Sequence, residues 1–380
     1  MRVLYVTGAE LGRPYAPASR AKGLTAGLAR RGIHVHLIGT EPAPPAFLPQ
    51  GTVEVLRLPR IRKIGALVWH ADLALRLADL LSERFDVVLM RETPLTLEPA
   101  AFARLRRIPF VLEVNGIAPE GRHHGLRRSF YDRNYRAASR IVVLTPALGE
   151  YLSNSFGVDP SRLALIPNAA DARRFYPRSK SEARRHLGFP QEGFLVVYMG
   201  SYHSQQGVEC VVPLCEALQE RIRGLLFVMT GAGVECDALR ERVRREGLER
   251  FFRFVGALPD DQVSACVSAA DAAFSPIRPE EAWRTEATFP QKVVEYLACG
   301  IPVLAMGSSG TQREMLESSG CGRLISAENG FVARLAGVLE EWHSRQDERA
   351  LMGARAVDLI RSKYSYDAIA ERFEELFRSL

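Results

Sequence analysis

Short apolar runs alternate along the chain with longer stretches of helical period. In the first half the runs are Val3–Val6, Val35–Ile38, Val53–Leu58, Val87–Met90, Phe110–Val114 and Ile141–Leu144. The second half restarts the pattern with Leu195–Met199, Leu225–Met229, Phe252–Val255, Ala272–Ser275, Val303–Leu304 and Arg323–Ile325. Such alternation is what parallel strands joined by crossover helices require. Between the first two runs, Ser19–Arg31 places Leu24 and Leu28 four apart and stops near Gly32, whose missing Cβ suits a helix end.

Each set of runs is sufficient for its own sheet. Between them lies Ile166-Pro167-Asn168-Ala169-Ala170-Asp171, followed by Phe175 and Pro177, which reads as a linker because proline interrupts strand and helix alike. Helical stretches from Glu328 to Leu380 are too many for one sheet layer, so the last, near Ser365–Ser379, is expected to return to the first domain. The predicted fold class is α/β, with two doubly wound Rossmann-like domains facing a central cleft. Its expected divisions are 1–170, with helix 364–380 packed back on it, and 171–363. Ligands in open α/β sheets gather at the carboxyl ends of the strands, and function is expected there.

Composition agrees with two folded domains. A chain of 380 residues exceeds the roughly 250–300 at which a single core stops growing. Its 47% hydrophobic and 25% charged residues exclude a disordered or fibrous chain. No apolar run approaches the ~20 residues that cross a bilayer, and MRVLYVTGAE enters a strand without a signal-peptide layout. A cytoplasmic protein is expected. Cys210, Cys215, Cys236, Cys266, Cys299 and Cys321 show no metal-like spacing and read as reduced packing residues. The net charge of +6 is uneven: Arg122, Arg127, Arg128, Arg133, Arg136 and Arg140 stand against Asp132, with Phe130, Tyr131 and Tyr135 among them. That segment, Arg122–Arg140, suits a peripheral contact with an anionic inner membrane face or an acidic acceptor; a solvated helix face is the alternative. Nucleic acid is not expected, because no recognised binding motif accompanies the charge.

The strongest chemical signal runs from Phe289-Pro290-Gln291-Lys292 through Glu295-Tyr296 to Gly300-Ile301-Pro302-Val303. Proline at the start, glycine at the stop and an apolar strand afterwards predict a helix whose first turn faces the ligand. Its amides suit a phosphate. Lys292 and Glu295 share a face: the carboxylate suits a ribose diol and the ammonium adds charge, a surface ion pair being the structural alternative. A second signal is the strand ending in Gly200, then Ser201 to Gln206 and Gly207, where glycine allows a diphosphate close to the backbone. Thr230-Gly231-Ala232-Gly233 after another strand adds weight only through its position.

Together these motifs resemble glycosyltransferase family four, retaining enzymes of the GT-B fold. The resemblance also includes Phe254-Val255-Gly256, Ser268-Ala269-Ala270-Asp271 and Ser275-Pro276. The Pro-x-Lys-x-x-Glu-Tyr pattern at Pro290–Tyr296 and Leu112-Glu113-Val114-Asn115…Pro119-Glu120 are similar to one branch of that family. The resemblance implies transfer of a hexosyl or aminohexosyl group from a nucleoside diphosphate sugar to an unidentified hydroxyl acceptor. A UDP sugar is favoured over a GDP sugar, with neither cofactor nor metal. It implies that Glu295 holds the ribose, that Gly200, Ser201, Gln206, Thr288, Phe289, Pro290, Gln291 and Lys292 surround the diphosphate, and that Val255 to Leu258 face the base. Asn115, His123, His124 and Arg20 are the acceptor-side candidates, with solvation in a polar loop the alternative for the two histidines and helix-face solvation, or a contact with the donor, the alternatives for Arg20.

Three positions depart from the family pattern. The usual Arg and Lys of the diphosphate loop are Ser201 and Gln206, a Glu expected eight residues before Glu295 is Ala287, and the linker glycine is Ala169. Lys292, Arg284, Arg313 and His203 are candidates for the missing charge. The uncharged loop motivates an alternative, a noncatalytic GT-B partner that binds a nucleotide sugar or a protein. A dehydrogenase fits less well, because Val3-Leu4-Tyr5-Val6-Thr7-Gly8-Ala9-Glu10 does not complete a dinucleotide fingerprint.

Overall fold

The structure is a computed structural model that describes residues 1–13, 15–42, 51–56, 65–117, 125–281, 284–307 and 310–380; at 126, 260, 261, 284 and 285 it describes the backbone alone. Its contacts divide the chain into Met1–Ala169 with Tyr366–Leu380, and Ala170–Ser365.

The first unit is built on seven parallel strands: β1 (Arg2–Glu10), β2 (His34–Thr40), β3 (Thr52–Leu56), β4 (Val87–Arg91), β5 (Phe110–Val114), β6 (Arg140–Val143) and β7 (Leu163–Leu165). Their order is β3-β2-β1-β4-β5-β6-β7. Val3, Leu4 and Tyr5 of the central β1 are fully buried, as a parallel strand covered on both faces must be. The edge strand β7 was not expected. Leu163-Ala164-Leu165 is only three residues long and partly exposed.

The carboxyl-terminal helix Tyr366–Arg378 belongs to this unit. Its Tyr366, Ile369, Phe373 and Phe377 share one core with Leu24 and Leu28 of the helix Ala16–Arg30. Gly23 and Gly27, one turn apart, make the close approach. A Cβ on Gly23 would lie 2.0 Å from the Tyr366 ring, and one on Gly27 would lie 2.5 Å from the Tyr366 carbonyl. Arg30 pairs with Asp367, and Arg31 with Glu374 and Glu371, at the rim of the same seam.

The second unit holds β8 (Phe194–Met199), β9 (Leu225–Thr230), β10 (Phe252–Gly256), β11 (Ala272–Ser275), β12 (Val303–Gly307) and β13 (Gly322–Ser326), all parallel, in the order β10-β9-β8-β11-β12-β13. Phe194, Tyr198, Phe227, Phe274, Leu335 and Trp342 anchor its core. The order reverses between β8 and β11, and that reversal opens a crevice at their carboxyl ends. All six cysteines are free, and five of them are buried. Among the described residues no helix is long and apolar enough to cross a membrane.

Candidate donor site

The crevice beside β8 is shaped by backbone meeting backbone. Gly200 N donates to Thr230 O at 3.1 Å, while Gly231 N and Thr230 Oγ1 both donate to Gly256 O, at 2.8 and 2.9 Å. Gly231 has φ +127°, and a Cβ there would stand 1.8 Å from Gly200 O. Gly200 has φ +155°, and a Cβ on it would meet Lys292 Nζ and Tyr198 Oη, each at 3.1 Å. Gly231 therefore needs glycine for conformation and for space, and Gly200 for conformation. These bonds join the ends of β8, β9 and β10 into one floor, and the Val255–Leu258 turn leaves from the same place.

The helix Gln291–Ala298 closes the other wall. Pro290, extended at φ −61° and ψ 123°, precedes it, and no side chain caps its N-terminus, so the partial positive charge of the first turn is left for a ligand. Val293, Val294 and Leu297 are buried. Tyr296 fixes the helix: Met199 N donates to its Oη at 2.6 Å, and that hydroxyl has the carbonyls of Met199 and Phe274 at 3.3 and 3.4 Å.

That anchor brings Lys292 over the loop. Its Nζ donates to Gln206 Oε1 at 2.6 Å and sits 4.7 Å from the centre of the Tyr198 ring. Lys292 is half-buried, and burial pushes its ammonium down to about 7 against the upward pull of the Glu295 carboxylate. Glu295, 7% exposed, accepts from Gln291 Nε2 at 3.1 Å. Its burial is inconsistent with a surface ion pair.

The other expected donor residues divide. Ser201 is exposed, with its carbonyl accepting from Tyr198 Oη at 2.7 Å; Val255, Leu258 and Thr288 are half-buried. Phe289 turns inward and stacks on Tyr364 with centroids 5.6 Å apart, so its ring is a packing group, leaving only its backbone for a ligand. His203 is exposed at the head of the turn Ser204–Gln206. Arg313 is paired with Glu317 at 3.0 Å on its own helical stretch and is not a spare cation. Arg284 opens the short helix Arg284–Ala287, but its side chain lies outside the described residues. Tyr198 beneath Lys292 was given no role in the sequence, and Tyr296 behind the helix stood there only as the last residue of the Pro-x-Lys-x-x-Glu-Tyr pattern. A tyrosine two places before the strand's terminal glycine is the only local sign of the first.

In the first unit the structure corrects Arg20, which is neither solvated nor a free acceptor-side group. It is 1% exposed, its Nε donates to Glu113 Oε1 at 2.7 Å, and its Nη1 donates to Pro167 O at 3.0 Å. Tyr5 Oη also donates to Glu113, at 3.2 Å. Burial acts to raise the Glu113 carboxyl, but the charges of Arg20 and Arg91 overcome it and hold the group below its usual range. Asn115, at the end of β5, is half-buried, and its Oδ1 has no hydrogen-bond partner among the described residues. His123 and His124 lie outside the described residues, as does Arg122. On the basic helix Leu126–Ala137, Tyr131 and Tyr135 are buried while Arg127, Arg128, Arg133 and Arg136 are exposed. The surface there is cationic, and those two rings belong to the core. Among the described residues no group of three or more His, Cys, Asp or Glu could hold a metal ion.

Residues 16–169 match the family described as "Glycosyl transferase 4-like domain", and residues 179–357 match "Glycosyl transferases group 1". The chain belongs to glycosyltransferase family four and has the two Rossmann-like domains of the GT-B fold. It is 25% identical over 230 residues to a GDP-mannose-dependent alpha-(1-6)-phosphatidylinositol monomannoside mannosyltransferase of Mycobacterium tuberculosis, covering 60% of this chain and 58% of that protein. The chain thus spans less than two thirds of that relative's length. In fold it is similar to the sucrose-phosphate synthase of Thermosynechococcus elongatus (TM-score 0.78, 18% identity, 100% and 99% of the two chains). It is also similar to Anabaena HepE solved with UDP (TM-score 0.72, 19% identity, 100% of both).

Proposed function

We propose that the protein is a retaining glycosyltransferase that moves a hexosyl or aminohexosyl group from a nucleoside diphosphate sugar to a hydroxyl acceptor in polysaccharide, glycolipid or natural-product glycosylation. A UDP sugar is the favoured donor. The observation that carries this reading is the contact of Lys292 Nζ with Gln206 Oε1, 2.6 Å, beside Gly200 at the reversal of the sheet. The loop lacks its usual cations, and the neighbouring helix supplies one to the same place.

In this reading the diphosphate lies over Gly200, between the loop and the first turn of Gln291–Ala298. Lys292 and the helix amides take up negative charge as the bond from the anomeric carbon to the diphosphate oxygen breaks. The acceptor hydroxyl enters on the face the diphosphate leaves and gives its proton to the departing diphosphate oxygen as its own bond to the anomeric carbon forms, so configuration is kept and positioning does most of the work. Glu295 accepts from the ribose hydroxyls, a carboxylate having about four lone-pair sites. The noncatalytic alternative rested on an uncharged loop, and Lys292 removes that ground. The mycobacterial relative's name specifies GDP-mannose and HepE was solved with UDP, which supports a nucleoside diphosphate donor.

A thermal-shift screen against UDP, GDP, TDP, CDP and NAD, followed by turnover with a panel of acceptors, tests the reading. A ligand at a hundredfold excess over its dissociation constant adds ~2.7 kcal/mol of apparent stability. Stabilisation by NAD alone, or binding with neither transfer nor donor hydrolysis, sinks it. Glu295→Ala is expected to weaken nucleotide binding by about 1.5–3 kcal/mol, as loss of a charged hydrogen-bond acceptor should. Unchanged affinity in a folded variant removes Glu295 from the site.

A further inference from the structure

At the other end of the second sheet, before the strands begin, lies an open cavity of about 360 Å³. Asp271 and Pro302, which precede β11 and β12, line it, whereas Gly200 follows β8 at the opposite, carboxyl end of the strands. The volume suits a small organic ligand. Helix Gln346–Leu359 forms one wall, with small residues towards the cavity. Gly353 is packed so closely that a Cβ on it would stand 2.3 Å from Gly300 O, and Ala350 lies at the mouth, exposed.

The chemistry of the walls is cationic. Asp271 carries the one carboxylate among the lining residues. It is already neutralised twice, by Lys180 Nζ and Arg184 Nη2, each at 2.7 Å, and it accepts from Leu195 N as well. Arg349 and Arg178 also line the cavity. Arg349 Nη2 stops 3.8 Å from Asp271 Oδ1, beyond hydrogen-bond reach. Arg178 Nε is buried without a hydrogen-bond partner among the described residues. Three cationic side chains, Arg178, Lys180 and Arg349, thus line the cavity beside one carboxylate that Lys180 and Arg184 already pair, an imbalance that is relieved by a ligand of negative charge. Burial, aided by Arg184 and opposed by Asp271, accordingly lowers Arg349 from its ordinary value.

We infer that this cavity is a binding site for a small phosphomonoester, separate from the donor site, in which Arg349, Arg178 and Lys180 hold the phosphate and the small-residue face of helix Gln346–Leu359 admits the body of the molecule. Two guanidinium forks favour a phosphate over a carboxylate, because a dianion with three acceptor oxygens uses both. Neither the charge nor the cavity is needed for donor binding in the reading above.

Calorimetry on the full chain, with UDP saturating the donor site, tests this with inorganic phosphate and glycerol 1-phosphate as probes. Saturable binding of both is expected, tighter for the ester. Arg178→Gln and Arg349→Gln should each weaken it at least tenfold, while Lys292→Gln leaves it unchanged. Because Arg349 also donates to backbone carbonyls of Trp342 and His343, Ala350→Trp serves as the second variant: it fills the mouth and retains every charge. Loss of ester binding with the fold intact supports the site. Binding of the ester undiminished by Ala350→Trp, binding removed by Lys292→Gln alone, or no saturable binding overturns it. Phosphate bound without preference for the ester overturns the assignment of the ligand.

Discussion

Each sheet places a cation beside its central strands, and the two cations have different company. In the first, Arg20 is sealed against Glu113, with Tyr5 and the Pro167 carbonyl completing the cluster, and Phe373 lies 5.6 Å from the guanidinium carbon. In the second, Lys292 is half-open, and the partner within hydrogen-bond distance is the neutral amide of Gln206. A buried charge matched by an opposite charge has its field spent within the protein and serves the architecture. A cation held by a neutral amide at the carboxyl end of a strand keeps more of its field for what arrives from outside; its desolvation is only partly offset, by the Glu295 carboxylate, and its pKa falls.

The largest expected effect breaks the first cluster. Arg20→Leu leaves Glu113 buried and uncompensated and should cost about 3–5 kcal/mol in urea unfolding. The double variant Arg20→Leu with Glu113→Leu should recover most of that loss; a double variant as unstable as the single one means that packing, not charge, is the cause. In the second sheet Lys292→Met should lower kcat by about 10²–10³-fold, the cost of one stabilising group at a developing charge, with little change in melting temperature. A large fall in stability with unchanged turnover would reverse the comparison.

Gly23→Ala probes the seam that closes the first unit. With a Cβ 2.0 Å from the Tyr366 ring, overpacking should cost about 1–3 kcal/mol, while Gly32→Ala, a position with φ +76° and open space around it, reports backbone strain alone. Equal effects at the two sites would remove the packing argument. The smallest effect is a proton. Lys292 has its pKa lowered to about 7, so at about pH 8 most free molecules carry it neutral, and a diphosphate beside it restores the charge. Donor binding should therefore take up most of one proton at about pH 8 and nearly none at about pH 6, where Lys292 is already protonated. Calorimetry in buffers of different ionisation heat counts it, and uptake that persists in Lys292→Met belongs to another group.

Much of this was legible in the chain. All twelve apolar runs meet strands of the structure, although Val53–Leu58 extends past the described part of β3 at Leu56, and the last helix starts at Tyr366. β7 escaped because an exposed three-residue edge leaves no periodic trace. The glycines Gly23 and Gly27 sit four apart in the first helix, yet their meaning depended on Tyr366, more than three hundred residues away. In the site, Lys292 and Glu295 stood out through their place on one short helix, whereas Tyr198, the anchoring bonds of Tyr296 and the correction of Arg20 did not.

The sequence by itself determined what is local and periodic: strand against helix, the proline that opens the donor helix, the glycines after the strands, and the absence of cations at Ser201 and Gln206. Tertiary structure alone decided which distant groups meet. It set Lys292 on Gln206 across 86 residues and Arg20 on Glu113 across 93. Backbone preference acts over a few neighbours along the chain, while the partner and burial of a charge depend on which strands the crossovers bring side by side. Whether a cation meets a carboxylate, as Arg20 does, or a neutral amide, as Lys292 does, was decided there.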